Sequence, residues 1–361
     1  GFSMIEDQKY ILKQILKYIE EEQPDGVLIA GDVYDKSVPS IEAVDLLDHF
    51  LTKLMEMHVA TFIISGNHDS PERLGFAAKL IRPTNIRISQ AYNGTVTPEK
   101  LWDDYGPLNI YMLPFIKPLH VRMAYPESDI TTYTEAVKEA ISHMEINPEQ
   151  RNLLIAHQFV TGAMRTDSEE ISLGGSDNVD VRVFDPFDYV ALGHIHRAQR
   201  LTRDTVRYSG TPLKYSFSEC RDKKSVTVIE MKEKNNIQIR FLPLTPLHDM
   251  REIKGSYEEL TCLKNYEGTA TDDYLHITLT DEDDVLDAAE KLRVIYPNLM
   301  KLDYDNTRTR TSGTVTFSDE LDKKSPLELF EDFFEQQNNM ELNDHQKEYM
   351  EAVIQEIWEG K

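Results

Sequence analysis

The sequence predicts an α/β layered protein with a smaller α+β domain and a helical hairpin at its C-terminal end. Three observations carry that expectation. Four short apolar runs each stop at a polar residue, most of them through a glycine. Amphipathic helical segments separate the first of these runs. After about Leu247 a β-α-β pattern without such endings takes over, and past residue 325 the pattern is helical.

Taken in order, Ile5 to Glu22 read as a helix, because Ile11, Leu12, Ile15, Leu16 and Ile19 fall on one face and Pro24-Asp25 ends it. Val27 to Ala30 read as a strand running into Gly31-Asp32. Ser40 to Met57 form a second helix, with Ile41, Val44, Leu47, Leu51 and Leu54 in phase. The strand Val59 to Ile64 then stops at Ser65-Gly66-Asn67-His68-Asp69. Leu153 to Ala156 end at His157. Tyr189 to Leu192 end at Gly193, His194 and His196, and "VRYSGTPLKYSFSE" is a further strand running into Gly210. "YLHITLT", "DVLDAAEKLRVIYP" and "LMKLDY" give the β-α-β of the smaller domain. Ser325 to Glu328 read as a capping box with proline at the first helical position. Phe330, Phe333, Phe334, Ile354, Ile357 and Trp358 then give two helices their apolar faces.

A single polar residue after a strand is ordinarily a turn. Four such endings in one α/β pattern point to a shared site, since ligands in open α/β sheets bind beyond the carboxyl ends of the strands. Carboxylate, amide oxygen and imidazole suit a borderline ion such as Mn²⁺, Fe or Zn²⁺. Two ions bridged by one carboxylate form a phosphoester-cleaving clamp. Asp32 is the natural bridge, because it follows a strand and a glycine. His68 faces substrate in this reading, stabilising developing charge or protonating the leaving oxygen, with Asp69 orienting it or raising its pKa. Asp35 reads equally well as a cap for the following turn.

Composition narrows the partners. With 39 Lys plus Arg against 63 Asp plus Glu, the net charge is −24, unlike a freestanding nucleic-acid binder. Such a chain suits cation binding, or a basic surface supplied by a partner. Two distant cysteines, Cys220 and Cys262, argue against a disulfide framework and fit a reducing cytoplasm. No apolar run approaches the ~20 residues that span a bilayer, so no membrane association is expected.

"GDVYD", "GNHD", "AHQFVTG" and "GHIH", in that order, resemble the calcineurin-like metallophosphoesterases. Within them, "GNHDSPERLGF", "FDYVALGHIHRAQ" and "YSGTPLKYSFSE" resemble the SbcD-type nuclease subunits, bacterial relatives of a double-strand-break repair nuclease. Lys36-Ser37 stand where the Ser/Thr phosphatase branch has Arg-Gly. The resemblance implies a metallophosphoesterase β-sandwich flanked by helices over residues 1–245. It implies an α+β capping and DNA-binding domain over 246–320 and a helical segment that binds an ATPase over 325–361.

By the same resemblance, Asp32 bridges two Mn²⁺, with Mg²⁺ or another divalent ion as the alternative. Asn67, His157 and His194 complete one ion, His196 binds the other, and His68 acts on the transition state. The family's opening Asp-x-His pair does not precede Gly1. We expect it to lie upstream rather than to be lost; without it, occupancy of one ion is expected to be weak or partial. The implied partners are DNA, a coiled-coil ATPase of the SbcC type, and a second copy of the chain joined through helices near Ile41 to Met57 and Glu72 to Leu80. The implied work is exonuclease and endonuclease cleavage in DNA repair, recombination and replication, including hairpin processing. The alternatives are a small-nucleotide phosphodiesterase or phosphatase and a catalytically idle DNA-end scaffold.

Overall fold

The computed structural model describes residues 2–169, 177–310, 326–338, 340 and 342–359. The chain divides into two compact units, one of residues 3–249 and one that begins at Met250 and includes the C-terminal helices and Phe2.

The first unit opens with α1 (Ile5–Glu22), β1 (Gly26–Ala30), α2 (Ile41–Glu56) and β2 (Ala60–Ile64). Next come α3 (Pro71–Leu74), α4 (Ala78–Ile81), β3 (Ile86–Ile88), β4 (Glu99–Asp103) and β5 (Gly106–Leu113). Helices α5 (Pro118–Ala124) and α6 (Tyr133–Ser142) lead to β6 (Arg151–His157), β7 (Tyr189–Gly193), β8 (Gln199–Arg200) and β9 (Val206–Tyr208). A hairpin of β10 (Ser225–Met231) and β11 (Ile237–Pro243) completes the unit.

Strands β1, β2 and β3 make a parallel sheet. A mixed sheet runs β4-β5-β6-β7-β9-β8, with β4 and β8 as antiparallel edges. The two sheets pack face to face through Phe62, Ile64, Ile110, Leu153, Ile155 and Tyr189. Alternation along each strand makes this possible. On β1, Leu28 and Ala30 join the inter-sheet core, while Val27 and Ile29 meet α1 and α2 through Ile19, Phe50 and Leu54. On β6, Leu154 and Ala156 face the other way, onto Ala136, Val137 and Ala140 of α6. The layers are therefore helix, sheet, sheet, helix, and the carboxyl ends of β1 and β2 lie over those of β6 and β7.

Several sequence expectations shift. The segment Glu72 to Leu80 is two single turns, α3 and α4, broken where Ala77 adopts φ 60°. Helix α2 is capped by Ser40, whose Oγ accepts from Ala43 N at 3.2 Å, but Ile41 and Val44 at its start are exposed.

In the second unit, β12 (Met250–Gly255) is a strand that the sequence pattern did not reveal. It precedes α7 (Tyr257–Thr261), α8 (Leu263–Tyr266), β13 (Tyr274–Leu279), α9 (Ala288–Arg293) and β14 (Leu299–Tyr304). The three strands form a parallel sheet whose core is Leu275, Ile277, Leu279, Leu292 and Leu299. After α10 (Thr307–Arg310), the helices α11 (Pro326–Asn338) and α12 (Asp344–Glu359) are joined by a Lys347–Glu331 ion pair of 2.9 Å. Ser325 of the capping box, and the side chains of Ile357 and Trp358, lie outside the described residues.

Candidate metal centre

The four strand ends meet. Asp32 lies two residues beyond β1, Asn67 three beyond β2, His157 closes β6 and His194 follows β7. One ligand atom each from Asp32, His157 and His194 lie within 4.8 Å of one another. Asn67 Oδ1 is 3.0 Å from His157 Nε2 and 2.9 Å from His194 Nδ1. His157 Nε2 is also 3.0 Å from Asp32 Oδ2.

Small residues permit this approach. A Cβ at Gly66 would run into the Asp32 carboxylate, and one at Gly193 into the Ala30 carbonyl. Asp32 and His194 adopt φ of 44° and 105°, a region non-glycine residues rarely occupy. Such strain persists where the surrounding structure enforces it, as at ligand clamps.

The donor set fits a cation. His157 Nδ1 lies 2.8 Å from the Ala30 carbonyl and donates to it. Its Nε2 lone pair then faces two acceptor oxygens, an arrangement that a bound cation relieves. His194 Nε2 is buried without a hydrogen-bond partner. Burial, then the neighbouring His157, push the His194 imidazole down to about 3, so it is neutral and able to ligate at physiological pH. At Asp32 burial favours the neutral acid. In the metal-free chain the charge and hydrogen bond of a protonated His157, with the His68 amide, outweigh it and hold the carboxyl at about 2.

His68 is tied in at two points. Its backbone N–H donates to Asp32 Oδ1 at 3.0 Å, and its Nδ1 is 3.0 Å from the Asp35 carbonyl. The Asp69 carboxylate accepts from the amides of Val33, Tyr34 and Gly66 at 2.8–3.1 Å. It thereby joins the loop after β1 to the loop after β2. Burial raises the Asp69 pKa despite these amides.

His196 stands apart from the Asp32, His157 and His194 group. Its Nδ1 is 2.7 Å from Ser168 Oγ and 3.6 Å from Glu219 Oε1. Ser168 Oγ in turn donates to Glu219 at 2.8 Å, and Lys224 Nζ donates to Glu219 at 2.5 Å and to the His196 carbonyl at 2.9 Å. Glu219 is fully buried. Burial alone would raise its pKa, but His196, Lys224 and Ser168 hold it well below the usual carboxylate range. Sequence reasoning missed Ser168, Glu219 and Lys224. The signal available was Ser216 and Glu219 at capping-box spacing within "YSFSE".

A family model of the calcineurin-like phosphoesterases matches residues 5–198, which contain all the strand-end residues named above. The SbcD protein of the SbcCD nuclease of Staphylococcus epidermidis is 32% identical over 359 residues, covering 98% of this chain and 94% of that protein. The chain belongs to the SbcD family of calcineurin-like metallophosphoesterases. The corresponding SbcCD nuclease protein of Staphylococcus saprophyticus is 30% identical and covers 99% of this chain and 95% of its own length. A second family model, described as the type 5 capsule protein repressor C-terminal domain, matches residues 246–338. Membership in the SbcD family makes the chain a nuclease-type, metal-dependent phosphodiesterase, with its metal chemistry on the two-sheet unit. Among the described residues no helix is long and apolar enough to cross a membrane.

Proposed function

We propose that the chain is the Mn²⁺-dependent nuclease component of a cytoplasmic ATPase–nuclease complex that cleaves DNA in repair, recombination and hairpin processing. The observation that carries this reading is the convergence of Asp32, Asn67, His157 and His194 from two sheets, with the His68 amide on the same carboxylate. In this reading Asn67, His157 and His194 would hold one ion, His196 would belong to a second, and Asp32 would contribute to both. Bound divalent ions would supply Lewis acidity and an acidified water for attack on phosphorus.

The chain's own residues do the rest. The Ala30 carbonyl keeps the proton on His157 Nδ1, so Nε2 points inward as a lone pair. The Ser168–Glu219 pair performs the corresponding service at His196 Nδ1. His68 donates from Nδ1 to the Asp35 carbonyl, which sets the ring and assigns Nε2 to proton transfer or charge stabilisation at the substrate.

Two further parts of the proposal concern assembly. Val38, Ile41, Phe76 and Leu80 are all strongly exposed. Arg73 Nη1 donates to the Ser37 carbonyl at 2.9 Å and so ties the α3 turn to the loop before α2. We assign this face to a homodimer, since exposed apolar patches mark interfaces. A monomer mass by light scattering at micromolar concentration would count against it. The staphylococcal relatives are named as components of the SbcCD nuclease, and we assign the C-terminal helices to an ATPase of the SbcC type.

The deciding experiment is digestion of duplex and hairpin DNA by the full-length gene product with Mn²⁺, alongside His68→Gln. The expected result is cleavage by the parent, and a loss of about 100-fold or more in the variant with Mn²⁺ binding retained. Undiminished cleavage by His68→Gln removes the assigned role.

A further inference from the structure

Glu219 and Lys224 form an ion pair in which both side chains are buried. Stability alone does not call for it, because exchanging a buried ion pair for apolar residues is often neutral or stabilising. Yet every partner of this pair is supplied. Lys224 Nζ directs its three protons to Glu219 Oε2 at 2.5 Å, to the His196 carbonyl at 2.9 Å and to Thr211 Oγ1 at 2.9 Å. Glu219 Oε1 accepts from Ser168 Oγ at 2.8 Å and from the amides of Tyr215 and Ser216 at 3.2 and 3.1 Å.

The network closes on His196. The His196 backbone N–H donates to Glu169 Oε1 at 2.7 Å, and its carbonyl accepts from Thr211 N at 3.0 Å as well as from Lys224. Its ring Nδ1 lies 2.7 Å from Ser168 Oγ. The order of protons follows from the ion pair. A carboxylate facing an ammonium only accepts, so the Ser168 hydroxyl gives it its single proton. A lone pair of that hydroxyl then faces Nδ1, which must carry the ring proton, and Nε2 is left as the free lone pair. At His157 the same tautomer is set by the Ala30 carbonyl, a backbone atom that no substitution removes. At His196 it is set by side chains.

We propose that Ser168, Glu219 and Lys224 are positioning residues for the second ion alone: they aim the His196 ring and fix its tautomer, so that loading of the second ion is controlled separately from loading of the first. The inference rests on the two-ion reading above and adds which side chains govern one of its two sites. Partners of this kind, behind a metal-binding histidine, are worth about 10–100-fold in metal affinity.

The test is calorimetric titration of the full-length gene product with Mn²⁺, read together with the electron paramagnetic resonance of the bound ions. The parent is expected to take up two ions and to give the spectrum of a coupled pair. Ser168→Ala and Glu219→Gln should each leave the first ion's affinity unchanged and weaken the second by about 10–100-fold. The spectrum of an isolated ion should then remain at the concentration that saturates the parent. Ser168→Thr, which keeps the hydroxyl, should restore the pair. Glu219→Gln combined with Lys224→Met strands no buried charge and should show the same selective loss. Ser168 is half-buried, so its variants carry the test even where a change at Glu219 does not fold. Parent-like affinity for both ions in Ser168→Ala and Glu219→Gln overturns the proposal. An equal fall at both ions overturns it too, since loosened packing alone produces that. A parent that takes up only one ion loses the two-ion reading itself, whereas two ions in parent and variants alike lose only the positioning role.

Discussion

His194 states the electrostatic problem of the site in one residue. Its ring is buried, its Nε2 has no hydrogen-bond partner, and its pKa lies near 3 instead of the usual 6.5. The fold therefore favours the neutral ring over the imidazolium. That contribution to stability is complete above about pH 6.5 and is lost as the pH falls from there towards 3. For the metal-free chain we expect the unfolding free energy to drop by a few kcal/mol across that window. The parent should take up a proton on unfolding, and His194→Leu should show a flatter profile. Denaturant melts at a series of pH values with chelator present check this, and parallel profiles for the two proteins contradict it. Asp69 illustrates the same scale differently. Its position beside His68 in sequence suggested a partnership, and its carboxylate satisfies three backbone amides of two loops. A carboxylate so placed is a brace, and unmaking it would strand buried donors.

At the scale of the element, what matters is how closely strand ends can approach. The end of β7 passes so near β1 that a Cβ at Gly193 would overlap the Ala30 carbonyl, a backbone atom that cannot swing aside. That same carbonyl receives the His157 Nδ1 proton. Gly193→Ala should therefore push β1 away from β6 and β7, separate Asp32 from His157 and His194, and weaken Mn²⁺ binding by at least tenfold. Its Tm should also fall by several degrees, as for an overpacked core position. Calorimetric Mn²⁺ titration decides the matter, and parent-like affinity in a folded Gly193→Ala protein counts against this packing of strand ends. Helix α2 carries the complementary lesson. Its apolar positions repeat in phase along its length, but Leu54 is buried and Ile41 is exposed. Periodicity marks a face, and what covers the face is decided elsewhere.

For the whole molecule, the −24 charge and the proposed DNA substrate need reconciling. Phosphate binding draws on positive charge, and here the proposed sources are bound divalent ions and a basic partner. The C-terminal helices are where such a partner is expected to attach. Phe333 and Tyr349 remain exposed although α11 and α12 share an ion pair, as a helix-in-groove contact requires. Deleting residues 325–361 is expected to leave Mn²⁺-dependent hydrolysis of small phosphodiesters intact while abolishing capture of an SbcC-type ATPase and ATP-stimulated duplex cleavage. Equal co-purification of the ATPase with the truncated and complete chains would refute the assignment.

The sequence by itself determined the strands of the larger unit that carry the site and the residues at their ends. An apolar run stopped by glycine and a polar side chain is a local pattern, and backbone geometry reads it directly. It also determined the helical faces and the composition that suits a cation. Only the tertiary structure decided that the four ends belong to two sheets and meet at one point. Only there did Glu219 emerge as the buried carboxylate behind His196, and only there did the Asp69 carboxylate meet three backbone amides. The segment Glu72 to Leu80 likewise proved to be two turns, because Ala77 takes a left-handed conformation that its helix-forming side chain does not announce. Local pattern sets the direction and period of a side chain. Its partner is set by packing between segments that lie 28 to 127 residues apart, and no short window of sequence contains both sides of that contact.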